Sequence, residues 1–330
     1  MKRILCFLLG LLFLQGCNKD EDPVPYVPWR PGDQTEDTID LEDATQVMIL
    51  PEQAKNRIVM VDQPTGKVAW EWTAADSGLS TTEQGWFELP DEAKPVYNRT
   101  SLLVTASGGG VALIRIADKK VLFYAKPGGN PHSAEVLPDK NIVVASSTGN
   151  KLSVYVYDES KAYVSKAAFT TTITSGHNAV WDLTRNCLWT AAGTQLLKFE
   201  YNGNRTAPQL TQIRSYDMPS GNSESHDLSP IYGEDALYVT TNEHVYRFDC
   251  AQEKFVETEI FQQNSIKSVS TGPEGYPTLV MRPTSGSGNW WSAEVTDLSG
   301  NRLFNRMGYQ IYKARWYVEN PFSYPAVHTL

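Results

Sequence analysis

Positive charge and cysteine are both scarce in this chain of 330 residues. There are 29 Lys and Arg against 38 Asp and Glu, which gives a net charge of −9 and a pI near 5.2. Phosphate binding needs a basic surface, so this balance argues against nucleic acid as a partner. Of the four cysteines, Cys187 and Cys250 fall in different predicted repeats at unmatched heights, so we expect no disulfide between them.

Familiar catalytic motifs are missing as well. The sequence has no Gly-rich phosphate loop, no nucleophile elbow and no HExxH helix, and it contains only five histidines. The length, with 41% hydrophobic residues, is sufficient for one large core, so a second domain is not required. The 16 Tyr and 9 Trp favour a β-rich, extracytoplasmic protein.

The N-terminus has the features of an export signal. Met1–Arg3 is a positive segment, and Ile4–Leu14 is an apolar segment too short to span a bilayer, which together indicate a secretory signal peptide over residues 1–17. Leu14–Cys17 resembles a bacterial lipobox, which implies lipidation of Cys17. Gln15 departs from the usual small or apolar residue, so an ordinary signal peptidase site is the alternative.

An acidic run follows the lipobox directly. Lys19–Asp22 resembles the surface-export signal of Bacteroidota lipoproteins, which implies a protein anchored in the outer membrane and facing the cell exterior. A solvated acidic linker is the alternative interpretation. Residues 18–44 are rich in Pro, Asp and Glu without apolar periodicity, so we expect an extended tether.

The rest of the chain is a repeat. Asn130–Phe169 contains four short β-prone runs bounded by turn residues, the last of them Tyr163–Phe169, which predicts one four-stranded antiparallel sheet. Comparable units recur every 40–50 residues or so, as in a β-propeller. We predict an all-β, six-bladed propeller over residues 45–330, with seven blades as the alternative. The predicted second strands are Gln46–Leu50, Ser101–Ala106, Asn141–Ser147, Asn186–Ala192, Ala236–Thr241 and Thr278–Arg282.

The two ends of this region predict how the ring closes. Tyr312–Tyr317 has the character of a first strand but has no second strand after it. We therefore expect it to pair with Gln46–Leu50, so that no sheet edge remains at the closure.

One position at the start of the predicted first strands carries a basic residue in every blade. The six residues at this position are Lys94, His132, His177, His226, Lys267 and Lys313. First strands of a propeller line its central channel, so these side chains are expected to surround one channel mouth. An alternative is that each histidine only bonds the backbone of the next blade.

The three histidines at this position suggest a metal site. His132, His177 and His226 could hold Zn²⁺ or Mn²⁺ at about 2.0–2.2 Å and leave positions open for a ligand. The cations expected to form an opposite, anion-binding arc are Lys94, Lys267, Lys313 and Arg315.

Aromatic residues are predicted on the same face. Trp86 and Trp290 lie next to glycines in two long connections, and exposed rings of this kind suit the faces of sugars. Packing of such tryptophans between blades is the alternative. Tyr97, with the histidines, is a candidate general base.

Weak resemblances point to families. Val61–Trp70 is similar to the turn-and-strand repeat of quinoprotein-like propellers, and His132–Asp139 loosely resembles a first strand of bacterial aryl sulfotransferase propellers, whose channel-mouth histidines act on sulfuryl groups. From Cys17 to Leu330 the chain resembles an uncharacterised family of Bacteroidota lipoproteins with a six-bladed propeller. This resemblance implies location and fold more than activity.

Two function classes follow from the predicted site. In one, a metal or the lysines neutralise a uronate and a histidine or Tyr97 removes a proton, which would make the protein a polysaccharide lyase. In the other, a monomeric propeller only binds an acidic oligosaccharide or polysaccharide, or serves as a protein-binding scaffold. Hydrolysis ranks third, because the nearby carboxylates, Glu135 and Asp227, do not occupy matching positions.

Overall fold

The structure is a computed structural model that describes residues 36–219, 224–261, 264–284 and 288–330. The predicted signal peptide, the lipobox with Cys17 and residues 18–35 of the tether lie outside the described residues. Within the ranges above, no helix has both the length and the apolar character needed to cross a membrane.

The regular secondary structure of the described residues consists almost entirely of strands. In chain order the strands are β1 (Val47–Glu52), β2 (Arg57–Asp62), β3 (Val68–Thr73), β4 (Pro90–Val96), β5 (Ser101–Ala106), β6 (Val111–Arg115), β7 (Val121–Ala125), β8 (Pro131–Val136), β9 (Ile142–Ser146), β10 (Lys151–Tyr155), β11 (Phe169–Thr172), β12 (Val180–Asp182), β13 (Cys187–Ala192), β14 (Gln195–Tyr201), β15 (Leu210–Asp217), β16 (Ser225–Pro230), β17 (Ala236–Thr241), β18 (Val245–Asp249), β19 (Lys254–Phe261), β20 (Ser268–Ser270), β21 (Leu279–Met281), β22 (Glu294–Thr296), β23 (Arg302–Asn305) and β24 (Arg315–Trp316). The helices, all in the connection from β3 to β4, are α1 (Thr81–Gln84) and the 3₁₀ turns Ala74–Ser77 and Gly85–Phe87.

These strands form six four-stranded antiparallel sheets across the described part of the chain, which confirms the predicted six-bladed propeller. Blades 2 to 6 each consist of four consecutive strands, beginning with β4, β8, β12, β16 and β20. Blade 1 has the order β24-β1-β2-β3, so its innermost strand comes from the C-terminal part of the chain. Met48 pairs with Trp316 and Ile49 with Arg315, as the prediction of ring closure requires.

The second strands explain why the repeat could be recognised in the sequence. β5, β9 and β13 are buried along their whole length, because neighbouring blades cover both faces of each sheet. The apolar side chains between blades form separate clusters. In one of them, Ile49, Ile58 and Trp72 of blade 1 pack with Leu102 and Ile114 of blade 2.

The predicted position of the fourth strand of blade 3 was wrong. The observed strand is β11, which begins at Phe169, whereas Tyr163–Phe169 had been predicted. Tyr163 instead forms a parallel bridge with Tyr124 in the outermost strand of blade 2, and its ring packs there at 5.1 Å. The segment therefore connects two blades.

The packed domain also begins earlier than predicted. The Glu36 carboxylate accepts hydrogen bonds from Arg57 at 2.7 Å and from the Tyr309 hydroxyl at 2.8 Å. Ile39 donates its backbone N–H to the carbonyl of Val68. Residues 36–44, assigned to the tether from composition, therefore lie against blades 1 and 6.

Candidate functional site at the channel mouth

Three innermost strands carry a β-bulge close to their first residue. In β8, Pro131 pairs with Ser146 and Ser133 with Ala145, so His132 is the extra residue. The register shifts in the same way at His226 in β16 and at Asp91 in β4. A bulge leaves one residue outside the regular ladder and redirects its side chain, here toward the end of the channel.

The other three blades have an equivalent residue. The register shifts by one between Gly176 and Val180 and between Ile311 and Arg315. His177 and Lys267 each donate the backbone N–H to the second strand in the same manner. We call the six equivalent residues the mouth ring; in blade order they are Tyr312, Asp91, His132, His177, His226 and Lys267.

The sequence alignment was therefore wrong in two blades. Asp91, not Lys94, occupies the ring position of blade 2, and Tyr312, not Lys313, occupies that of blade 1. A usable signal existed for Asp91, because a proline pairs with the second strand directly before both Asp91 and His132. Aligning on basic residues concealed it.

The rings at the mouth pack against one another. His132 stacks on His177 with centroids 4.7 Å apart and 16° between the planes, and it also stacks on Tyr312 at 5.5 Å. His226 meets His177 edge to face at 5.6 Å. Each of the three histidine residues is only 8–9% exposed. They form a floor across this end of the channel.

Each imidazole is held through a different contact. His177 Nδ1 forms a hydrogen bond of 2.9 Å with the carbonyl oxygen of Ser175, whereas His132 Nδ1 lies 3.3 Å from Asp91 Oδ1 without forming a hydrogen bond. His226 Nε2 contacts the side-chain oxygen of Asn242 and lies 3.1 Å from Lys267 Nζ. In the described part of the protein, the Nε2 atoms of His132 and His177 have no hydrogen-bond partner, and solvent reaches them.

Burial keeps these imidazoles uncharged. Burial, reinforced by the charges of Lys313 and Lys267, lowers the pKa of His132 to about 3. Burial also lowers the pKa of His177 and of His226 well below the ordinary value, with the stacked His132 and the Lys267 ammonium as the next causes. Burial raises the pKa of the Asp91 carboxyl well above its ordinary value. The ring thus presents neutral imidazoles at neutral pH.

The predicted metal site does not have the required geometry. A metal bound by imidazole lies close to the ring plane, and the planes of His132 and His177 are almost parallel, so they share no nearby point. His226 Nε2 is already engaged by Asn242 and Lys267. No cluster of three or more His, Cys, Asp or Glu side chains suited to a metal ion occurs within the described residues.

Most of the cations predicted to form an arc at the mouth instead lie inside the channel and are paired with carboxylates. Lys313 is fully buried one layer below the ring, with Nζ 3.2 Å from Asp227 and 3.7 Å from Glu92. Arg315 reaches the same two carboxylates at 2.5 Å each. Burial raises the pKa of Glu92, but the Lys313 charge and its neighbours outweigh burial and hold that pKa below its ordinary value.

Lys94 belongs to the same buried network. Its Nζ donates to the carbonyl of Ala179 at 2.6 Å and lies 3.5 Å from Glu135 and 3.6 Å from Glu92. Three cations therefore face three carboxylates inside the channel. The channel is filled by a charge-balanced core, and Lys267 is the one cation in the mouth ring.

Small polar residues beneath the ring have a structural role. Ser133 accepts the backbone N–H of Ala179 at 3.3 Å, and Ser268 accepts that of Ala314 at 2.9 Å. Asp227 accepts the N–H of Val269 in the same way. Each bond links one innermost strand to the next, which accounts for the serines and Asp227 directly after ring residues.

Tyr97 lies at the opposite end of the channel. It follows Asp91 by six residues along β4, which at about 3.3 Å per residue is roughly 20 Å. Its ring is buried against His328 at 4.4 Å. The prediction that Tyr97 acts as a general base beside the histidines is therefore wrong.

The C-terminal segment closes that opposite end. Phe322 accepts the N–H of Leu183 at 3.0 Å, and the Tyr324 hydroxyl donates to Glu135. A cavity of about 80 Å³ beneath the segment, lined by Glu135 and Arg315 among others, has room for a few water molecules. We find no unpaired charged group facing it in the described residues.

The two predicted aromatic platforms have different positions. Trp290 donates its Nε1–H to Gln53 at 3.0 Å, and Gln53 in turn bonds the carbonyl of Pro90, next to the ring residue Asp91. Trp290 is thus beside the mouth. Trp86 packs against Tyr124 and Tyr163 at 6.2 and 5.9 Å, in the outer part of blades 2 and 3, away from the ring.

These features define a β-propeller whose channel is sealed at one end by its own C-terminus and carries a histidine-rich ring at the other. The chain belongs to DUF6528, a family of unknown function, whose model matches residues 1–330. No curated protein matches it significantly.

Two solved structures match most of this chain. One is a protein of unknown function from Bacteroides caccae, with a TM-score of 0.55 and 12% identity, covering 84% of this chain and 100% of that one. The other is dihydro-heme d1 dehydrogenase NirN in complex with DHE, with a TM-score of 0.47 and 10% identity, covering 83% of this chain and 55% of that one. At 12% identity, the likeness to the Bacteroides caccae protein concerns the fold alone.

Proposed function

We propose that the mouth ring binds an anionic saccharide without converting it. The observation that carries the proposal is the composition of one channel end. Three neutral imidazoles, Tyr312, Lys267 and Asp91, whose carboxyl has a pKa raised by burial, are collected there above a core whose charges are already balanced. Two of the imidazoles have no partner for Nε2 in the described residues.

The chemistry of these groups suits a hydroxyl-rich ligand with one acidic group. Neutral imidazoles offer hydrogen-bonding nitrogens and flat faces, which fit the hydroxyls and the apolar faces of a sugar ring. The positively charged ammonium of Lys267 can form an ion pair with a carboxylate or a sulfate group of the ligand. Trp290, fixed through Gln53 beside the ring, supplies a further ring face.

Binding is favoured over lyase chemistry because the low pKa of His132 makes this imidazole a weak general base. A general base works best when its pKa lies near the operating pH, which is about 7 for most enzymes. His132, the imidazole that faces the Asp91 carboxyl, has a pKa of about 3 and is a weak base. A lyase would convert the saccharide into an unsaturated product, whereas a binding protein would leave it unchanged.

Calorimetry with trigalacturonic acid tests the binding proposal. Lys267→Met removes the ring charge and keeps most of the apolar stem, so binding should weaken by about tenfold to a hundredfold, the usual effect of losing a charged hydrogen bond. Lys166→Met, at an exposed residue of the segment that connects blades 2 and 3, changes the net charge equally and should bind like wild type. Equal affinity of all three proteins, or no binding at all, would contradict the proposal.

We further propose that a lipid on Cys17 anchors the propeller in the outer membrane and that Lys19–Asp22 directs it to the cell surface. Replacement of these four residues by Ala should leave a lipoprotein that external protease does not reach in intact cells. Cys17→Ser should release the protein from the membrane. Identical surface digestion of the Ala variant and wild type would mean that the acidic run is only a linker.

A further inference from the structure

The mouth ring has two chemically different sides. His177 Nδ1 lies 2.9 Å from the carbonyl oxygen of Ser175. A carbonyl oxygen only accepts hydrogen bonds, so this nitrogen carries the proton and Nε2 of the neutral ring is an acceptor. Solvent reaches this Nε2, which has no partner in the described ranges.

The opposite side of the ring carries a hydrogen-bond donor, the ammonium of Lys267. His226 alone separates His177 from Lys267: its ring centroid is 5.6 Å from that of His177, and its Nε2 is 3.1 Å from Lys267 Nζ. A single imidazole, that of His226, therefore lies between an acceptor and a cation. A ligand that satisfies both must present a hydroxyl at one and an acidic group at the other.

We infer that His177 is a specificity-determining residue that accepts a hydrogen bond from a ligand hydroxyl, while Lys267 takes the acidic group of the same sugar residue. This inference rests on the proposed function and adds an orientation to it. A carboxylate cannot bind at His177 Nε2, because two acceptors would face each other. His132, stacked on His177 at 4.7 Å, holds the imidazole plane in place.

The tautomer can be measured without a ligand. In long-range ¹H–¹⁵N spectra of protein labelled with [¹⁵N]histidine, the His177 signals, assigned by their loss in His177→Gln, should show a protonated Nδ1 and an unprotonated Nε2. Circular dichroism of the variant establishes that it is folded. A protonated Nε2 in wild type would overturn the inference whatever the ligand.

Two probes that differ only in acidity test the orientation. His177→Leu should weaken trigalacturonic acid and neutral galactotriose by the same factor, about tenfold for one hydrogen bond. Lys267→Met should weaken only the acidic probe. An effect of His177→Leu confined to the acidic probe, or none, would overturn the inference. Failure of both probes to bind wild type contradicts the proposed function instead, and the tautomer then decides the assignment of His177 by itself.

Discussion

The ammonium of Lys313 lies 3.2 Å from a carboxylate oxygen of Asp227, and both side chains are fully buried. Lys313 comes from blade 1 and Asp227 from blade 5. The same ammonium lies 3.3 Å from Asn178 Oδ1 of blade 4 and 3.7 Å from Glu92 of blade 2. One lysine thus braces four blades across the channel.

Removal of this lysine should destabilise the propeller. In Lys313→Met two buried carboxylates lose a partner, and breaking a buried ion pair costs about 3–5 kcal/mol of the free energy of unfolding. The sequence alignment had placed Lys313 on the surface of the mouth, where the effect would be small. Chemical denaturation measures the difference, with Lys166→Met as a control expected to stay within about 0.5 kcal/mol of wild type. Equal stability of the two variants would contradict the assigned network.

Deletion of Gly308 to Leu330 should prevent formation of a stable ring. The deletion removes β24, leaves β1 without its inner neighbour and takes away Lys313 and Arg315. We expect no cooperative thermal transition by circular dichroism. Deletion of only Thr329 and Leu330 is the matched control and should unfold like wild type. A full deletion with an unchanged melting temperature would show that closure does not depend on this segment.

Acid should destabilise the protein partly through the mouth ring. The pKa of His132 is about 3 in the folded state and about 6.5 in an unfolded chain, so between these values the unfolded state binds more protons. Stability therefore rises with pH across this window and falls as the pH drops below 6.5. Urea midpoints from pH 7 to pH 4 should decline less steeply for His132→Gln than for wild type. Parallel curves would mean that His132 is not buried in its neutral form.

The blades could be predicted from sequence because burial and turn chemistry leave a local signature. A second strand such as Cys187–Ala192 is apolar along its whole length and is bounded by turn residues, so it is visible without any tertiary information. The closure by residues near Trp316 followed from counting strands. Tyr163 was assigned to the wrong strand, since its pairing with blade 2 depends on a contact between blades.

The site was predicted only in part, for a physical reason. A bulge changes the register by one residue, and a shift of one residue moves each side chain to the other face of the strand. His132, His177 and His226 were placed correctly. Lys313 is one residue beyond the ring residue Tyr312, as such a shift gives, whereas Lys94 is three residues beyond Asp91 because the alignment matched basic residues. The partners of the misplaced lysines lie in blades far away in sequence, so no local pattern reports them.

The five histidines allow a direct measurement of where a saccharide binds. Three belong to the mouth ring, whereas His328 lies at the opposite end of the channel, stacked between Tyr97 and Tyr324. Trigalacturonic acid should be titrated into [¹⁵N]histidine-labelled protein while the imidazole signals are recorded. The account predicts that the signals of His177, His226 and His132 shift to saturation and that those of His328 do not. Saturable binding that moves only His328, or that leaves the three ring histidines unchanged, would contradict it.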